Sequence, residues 1–327
     1  TEILASDTNG TFTVDSGGTV TVSGALGGTT PGGGIALTAG GGAGTIALNA
    51  NVSTDSTPVT LTGNVTAATG VAIDTEDGDD GNGGNVSITG TFDAAAAGAN
   101  VVIDASVSAT DGDVSITGVT GGTTNFGTLD ISGATVALGD LGDGDTTATS
   151  AATAITASTA INFNGSTYKT HQVNYTAPAG QNFNLLSGAT TTFETAAQSV
   201  TFTNGTLSLG AGSNLSVGTA GGAVALDGGI RGTSGETVSL VAGSGATATE
   251  TVSVGAIGDT GGAGNEILSV TITAEDGITL GGGIFTNGGA GANISITGPV
   301  TIGTNLTLDT DATGEGVATD AGSITVN

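Results

Sequence analysis

Along most of its length the chain alternates a branched aliphatic residue with a small polar one. The pattern runs through "TFTV" (11–14), "TVTVSG" (19–24), "IALTA" (35–39), "TIALNA" (45–50), "VTLTGNV" (59–65), "VAID" (71–74) and "VVIDASV" (101–107). It continues in "LDISGATVAL" (129–138), "AVALDGGI" (223–230), "TVSLVA" (237–242), "SVTITA" (269–274), "GITLGG" (277–282) and "NLTLDTD" (305–311). A period of two belongs to strands with one face buried, so the pattern predicts strands almost throughout. Stretches of Gly, Asp, Asn and Ala separate the runs and supply the backbone freedom that turns require. Only the alanine stretches at 94–98 and 147–160 are compatible with helix.

The runs also repeat. "GNGGNVSITG" (81–90), "TDGDVSITG" (110–118) and "GAGANISITG" (289–298) carry one short strand behind glycine and Asp or Asn. A shift of 28 residues maps Ile88 onto Ile116, Val101 onto Leu129 and Ile103 onto Ile131, and the same shift carries Ile296 onto Ile324. A shift of 24 maps Ile272 onto Ile296 and Ile278 onto Ile302. Two strands that move by one offset make a whole multi-strand turn the repeated unit, which predicts an all-β, parallel β-helix (β-solenoid) and an elongated rod. Each strand would pair with its equivalents one coil above and below, at a spacing of about 4.8 Å. In this reading the repeated strand is a rung and the preceding glycines form its corner.

Composition narrows the functional classes. There are 62 glycines, 4 prolines, no Cys, Met or Trp, and 3% aromatic residues. The 29 acids face two bases, Lys169 and Arg231, for a net charge of −27. Such a chain repels phosphate backbones and anionic lipid heads, which argues against nucleic-acid binding. No apolar run approaches the roughly 20 residues needed to cross a bilayer, so membrane insertion is not expected. Scarce lysine with abundant Thr, Ser, Gly, Asn and Asp fits an extracellular protein on a bacterial cell surface. The last residues, "AGSITVN", stop inside a strand pattern, as expected of an excerpt or of an end covered by a neighbour.

One region departs from the rest. Residues 161–205 hold six of the ten aromatics, Phe163, Tyr168, Tyr175, Phe183, Phe193 and Phe202, together with Lys169 and the single histidine, His171. Either these coils enclose an aromatic stack with a surface hairpin, or the segment is a ligand-contacting protrusion. The expected organisation is N-terminal coils over 1–145, aromatic-enriched coils or a protrusion over 146–205, and C-terminal coils over 206–327.

The stretch "GGAGANISITGPVTIGTNLTLDTDATGEGVATDAGSITVN" (288–327) resembles the strand-repeat regions of large bacterial surface proteins of the filamentous-haemagglutinin-like and autotransporter-passenger type. "INFNGSTYKTHQVNY" followed by "TFETAAQSVTFTNG" is similar to the segment that often precedes that unit. The resemblance implies a right-handed parallel β-helix, export, and a role in adhesion or surface structure. It carries no catalytic residues.

Candidate chemistry is sparse. With one histidine and no cysteine, only a Ser–His arrangement could supply an activated nucleophile, and "STYKTH" lacks the glycine pattern of a nucleophile elbow. Carboxylates paired for glycoside hydrolysis are not identifiable. No enzyme activity and no required cofactor are therefore expected. Calcium is the metal best suited to a chain with oxygen ligands alone. "DTEDGDDGNGG" places Asp74, Glu76, Asp77, Asp79 and Asp80 within seven residues, and "GDLGDGD" places Asp140, Asp143 and Asp145 as a second candidate. Their alternative is a solvated acidic turn. "GGAGNEILS" (261–269) approaches the glycine-rich calcium nonapeptide, but Glu266 stands where an Asp belongs and the motif occurs once.

Asn-x-Ser/Thr triplets begin at Asn9, Asn51, Asn64, Asn85, Asn164, Asn174, Asn204, Asn214, Asn293 and Asn305. Each is a glycosylation acceptor by pattern, and composition alone also generates such triplets. Thr-x-Thr pairs such as "TIT" (271–273) could order water as an ice-binding face, or be ordinary outward residues of strands. The expectation is a structural protein whose principal partner is itself, stacked head to tail into a surface fibre. The runner-up is an adhesin rod that binds glycan or a surface protein.

Overall fold

The computed structural model describes residues 10–27, 33–76, 81–107, 109–144, 146–196, 198–233, 235–243, 249–258, 267–287, 291–303, 305–311 and 322–327. The chain folds as two compact units, Thr1–His171 and Gln172–Asn327, which share the 146–205 stretch between them. Both are parallel β-solenoids. Among the described residues the only helical element is a 3-10 turn at Gly40–Gly42, and no helix is long and apolar enough to cross a membrane.

In the first unit a coil has three strand-bearing sides, as in Ile35–Ala39, Thr45–Leu48 and Val52–Ser53. The next coil repeats them as Val59–Thr62, Asn64–Ala67 and Val71–Asp74. Alternate side chains point inward and stack by register. One column runs Val14, Leu37, Leu61, Ile88, Ile116, Leu138, Phe163. A second runs Val52, Ile73, Ile103, Ile131, Ile155, and a third runs Val20, Ile46, Val65, Phe92. Each fully buried aliphatic in these columns contributes about 1.5–3 kcal/mol of hydrophobic stabilisation. The core is therefore a set of parallel files rather than one central cluster.

The second unit follows the same plan. Phe193, Val217, Leu240, Ile272, Ile296 and Val326 form one file, and Phe202, Leu226, Val254, Leu280 and Ile302 another. Leu207, Ile230, Ile257, Ile284 and Leu308 form the third.

Most of the sequence register survives. Ile88 pairs with Ile116, Ile103 with Ile131 and Ile272 with Ile296. Two pairings are corrected: Ile278 meets Val300 rather than Ile302, and Ile324 meets Ile294 rather than Ile296. In the first case the corner residues 274–277 are replaced one coil on by 298–299 alone. Both corrections move a strand by two residues, so every inward side chain stays inward. The third copy of the repeated strand, Asn293–Thr297, belongs to the second unit, on the ladder of Ser269–Ala274.

The alanine stretch at 147–160 forms no helix among its described residues. Ala152–Phe163 is a strand whose Ile155 stacks on Ile131 and whose Ile161 stacks on Val136. The buried ladder outweighs the helix preference of alanine.

Glycine at the rung has a second role besides the bend. Gly84, Gly112 and Gly118 sit at the ends of the repeated strands with ordinary φ. A Cβ on Gly84 would lie 2.1 Å from the carbonyl oxygen of Thr57, on Gly112 2.1 Å from that of Gly84, and on Gly118 2.1 Å from that of Gly90. These glycines are required because the adjacent coil's carbonyl occupies the side-chain position, while Gly90, Gly291 and Gly298 of the same stretches take φ of +122°, +106° and +134° and serve the bend.

Candidate functional site

The acidic turn grows out of the strand Val71–Asp74, in which Ile73 points inward and Asp74 follows at the strand end. The Asp74 carboxylate accepts a hydrogen bond from the backbone N–H of Glu76 at 3.0 Å, closing a local turn. One coil on, its register partner Asp104 does the same with the N–H of Ser106 at 2.9 Å. Asp104 also accepts from the hydroxyl of Ser132, a further coil on, at 2.7 Å.

Glu76 is only 2% exposed. Its Oε2 accepts from the Ser56 hydroxyl at 3.0 Å and its Oε1 from the N–H of Gly81 at 2.8 Å. A buried carboxylate is tolerable only when its oxygens are bonded, and these contacts tie the turn to the preceding coil. Asp77, Asp79 and Asp80 lie outside the described residues.

At the second candidate, Asp140 Oδ1 accepts from the N–H groups of Ser166 and Thr167 at 2.7 and 2.8 Å. Asp143 exchanges backbone hydrogen bonds with Thr146, and Asp145 lies outside the described residues. Among the described residues no group of three or more His, Cys, Asp or Glu side chains is placed to hold a metal ion. Glu76 and Asp140 thus act as brackets for backbone donors.

The six aromatics of 161–205 are all buried. In the first unit Phe163 and Tyr168 meet edge to face at 4.8 Å. The Tyr168 hydroxyl donates to the carbonyl of Leu138 at 3.1 Å and accepts from the N–H of Gly165 at 3.0 Å. Burial holds this phenol far above its ordinary pKa; the Gly165 donor opposes the shift and the Asp140 charge adds to it. In the second unit Phe202 stacks on Tyr175 at 5.0 Å and meets Phe193 and Phe183 edge-on at 5.1 and 5.3 Å. Lys169 donates to the carbonyl of Gly144 at 2.8 Å.

One acid that the sequence reading passed over is Glu236, 2% exposed in the second unit. Its carboxylate accepts from the N–H and hydroxyl of Thr233 and from the N–H groups of Gly235 and Gly212. Burial alone would raise its pKa, but these donors outweigh it and the net shift is downward. The signal was present as Thr-x-x-Glu in "TSGE", the reciprocal capping pattern, used here in a corner rather than at a helix start.

The Asn-x-Ser triplets acquire a structural origin. Asn51, Asn85, Asn214 and Asn293 each accept, through Oδ1, a backbone N–H of the following coil, from Ala72, Asp113, Thr237 and Ser323 at 2.8–3.0 Å. Asn100, outside any triplet, does the same for Thr128. The residue after each triplet asparagine is a buried Val52, Val86, Leu215 or Ile294, and the next is an outward serine. Asn-x-Ser is therefore what a capped corner followed by an alternating strand spells. The Thr-x-Thr pair at Thr271 and Thr273 sits between Ser239 and Val241 on one side and Ser295 and Thr297 on the other.

Comparison with protein-family models, with characterised proteins and with solved structures returns no match.

Proposed function

We propose that the chain is a non-enzymatic, extracellular structural segment of a bacterial surface fibre, extended by end-to-end stacking of β-solenoid units. The observation that carries this reading is the in-register parallel stacking of coils in the second unit, a ladder that a further coil can extend in the same register. Ile302, Ile324 and Val326 are 58%, 46% and 53% exposed, although each continues a file whose preceding members, Leu280, Ile294 and Ile296, are buried. Among the described residues no strand pairs with their outer side, and such an edge is a template for another strand. A further coil would bury all three side chains, each worth about 1.5–3 kcal/mol when fully covered. In this reading a second copy supplies that coil, and such head-to-tail contacts propagate as open filaments. Net negative charge keeps neighbouring fibres apart at low salt. The acidic, lysine-poor composition and the resemblance in residues 288–327 support the surface location.

The test is assembly itself, followed by light scattering and negative-stain microscopy over a concentration series. Fibres of uniform width should grow with concentration, and Ile324→Asp with Val326→Asp should stop them. Particles of a single size across the whole series would sink the reading.

A further inference from the structure

The second unit carries a slot on the outward side of the ladder formed by Thr206–Leu209, Ile230–Arg231 and Ile284–Phe285. Ile230, Ile257 and Ile284 pair in register, so the residues after them, Arg231, Gly258 and Phe285, stand one above another on successive coils. At the middle level Gly258 carries no side chain, and the backbone of the next coil closes in on it. It takes a φ of +71°, and a Cβ there would lie 2.2 Å from the carbonyl oxygen of Phe285. Beside this ladder lies a cavity of about 190 Å³ lined by Arg231 and Phe285 among others. Thr206, Gly228 and Ala256 line the rest.

The chemistry of the walls is uneven. Arg231 is the only arginine and is exposed, and its guanidinium makes no hydrogen bond or ion pair with any described residue, in a chain with 29 acids. A guanidinium prefers a carboxylate held by two parallel N–H···O bonds. Phe285 is half-buried and offers an apolar wall. The hydroxyl of Thr206, which donates to the carbonyl of Gly228 at 3.2 Å, keeps lone pairs for an incoming hydroxyl donor. A ligand that satisfies all three walls has a carboxylate on one edge, an apolar face and ring hydroxyls. The volume suits one six-membered sugar ring.

We propose that this slot binds a single uronic-acid residue, as found in acidic polysaccharides, with its carboxylate on Arg231 and its ring against Phe285. The slot lies within one unit, so the proposal stands apart from end-to-end stacking and survives if that reading fails. A single charged contact opposed by a net charge of −27 makes the binding weak and sensitive to salt.

The experiment titrates the protein with sodium glucuronate, acetate, methyl glucoside and N-acetyl-aspartate amide, followed by NMR shifts at physiological salt. Glucuronate should bind at least tenfold more tightly than acetate or methyl glucoside. Arg231→Gln should weaken it at least tenfold and Phe285→Leu severalfold, with circular dichroism unchanged for both. Absence of glucuronate binding, or equal binding by the Arg231→Gln variant, overturns the proposal. Acetate binding as well as glucuronate also overturns it, because the ring would then contribute nothing. Tighter binding of N-acetyl-aspartate amide overturns it in favour of an acidic protein side chain.

Discussion

The side-chain oxygen of Asn85 accepts a hydrogen bond from the backbone N–H of Asp113, one coil further along the chain, at 2.9 Å. The strands that follow the two residues pair in register, Val86 with Val114 and Ile88 with Ile116. The contact therefore extends the ladder sideways into the corner, where no strand partner exists for that N–H.

Asn85→Ala should lower stability by about 1 kcal/mol, the worth of one such bond, read as a lower urea midpoint. Asn85→Asp keeps an acceptor at the same place and should stay within about 0.5 kcal/mol of the parent. Equal losses in the two variants would show that the contact contributes nothing beyond side-chain packing.

Gly118 and Gly218 separate steric need from backbone entropy. A methyl group on Gly118 would lie 2.1 Å from the Gly90 carbonyl oxygen, whereas Gly218, at an outward strand position, has nothing within 4 Å of its Cβ site. Gly118→Ala should destabilise by about 1–3 kcal/mol, as overpacking does. Gly218→Ala should be neutral or stabilise by about 0.5–1 kcal/mol. Thermal melts of the two variants side by side check the contrast.

Glu236 predicts an acid dependence with a definite sign. Its folded pKa is lowered, so the stability it contributes is present above the ordinary glutamate value of about 4.3 and is lost as pH falls through the folded pKa. Glu236→Gln presents an amide to N–H groups that need an acceptor, and should be less stable than the parent at pH 7. The gap between the two urea midpoints should close as pH drops toward 3. A gap that is constant with pH would mean that the carboxylate charge is not what the corner uses.

The fold was readable from the chain because its core is written one residue at a time. An inward Val, Ile or Leu at every second position, repeated at a nearly constant interval, leaves little choice but stacked coils. Register was readable only where corners keep their length. Ile278 could not be paired correctly from spacing, since the cut from 274–277 to 298–299 preserves alternation and leaves no trace in the pattern. The acidic candidates were visible as composition, but the Ser56 bond to Glu76 and the Ser166 bond to Asp140 come from neighbouring coils 20 or more residues away. Arg231 was noticed only as a charge. Its setting depends on Gly258 and Phe285, one and two coils later, and no local motif joins the three.

The five asparagine contacts share a direction, since the acceptor lies on the earlier coil and the donor on the later one in each. A nascent chain that emerges amino end first would thus find, at each of these five corners, a ready template for the segment still arriving. Growth of the folded part would proceed like a zipper closed from one side, and the half-made molecule would never wait for a distant segment to satisfy these corners.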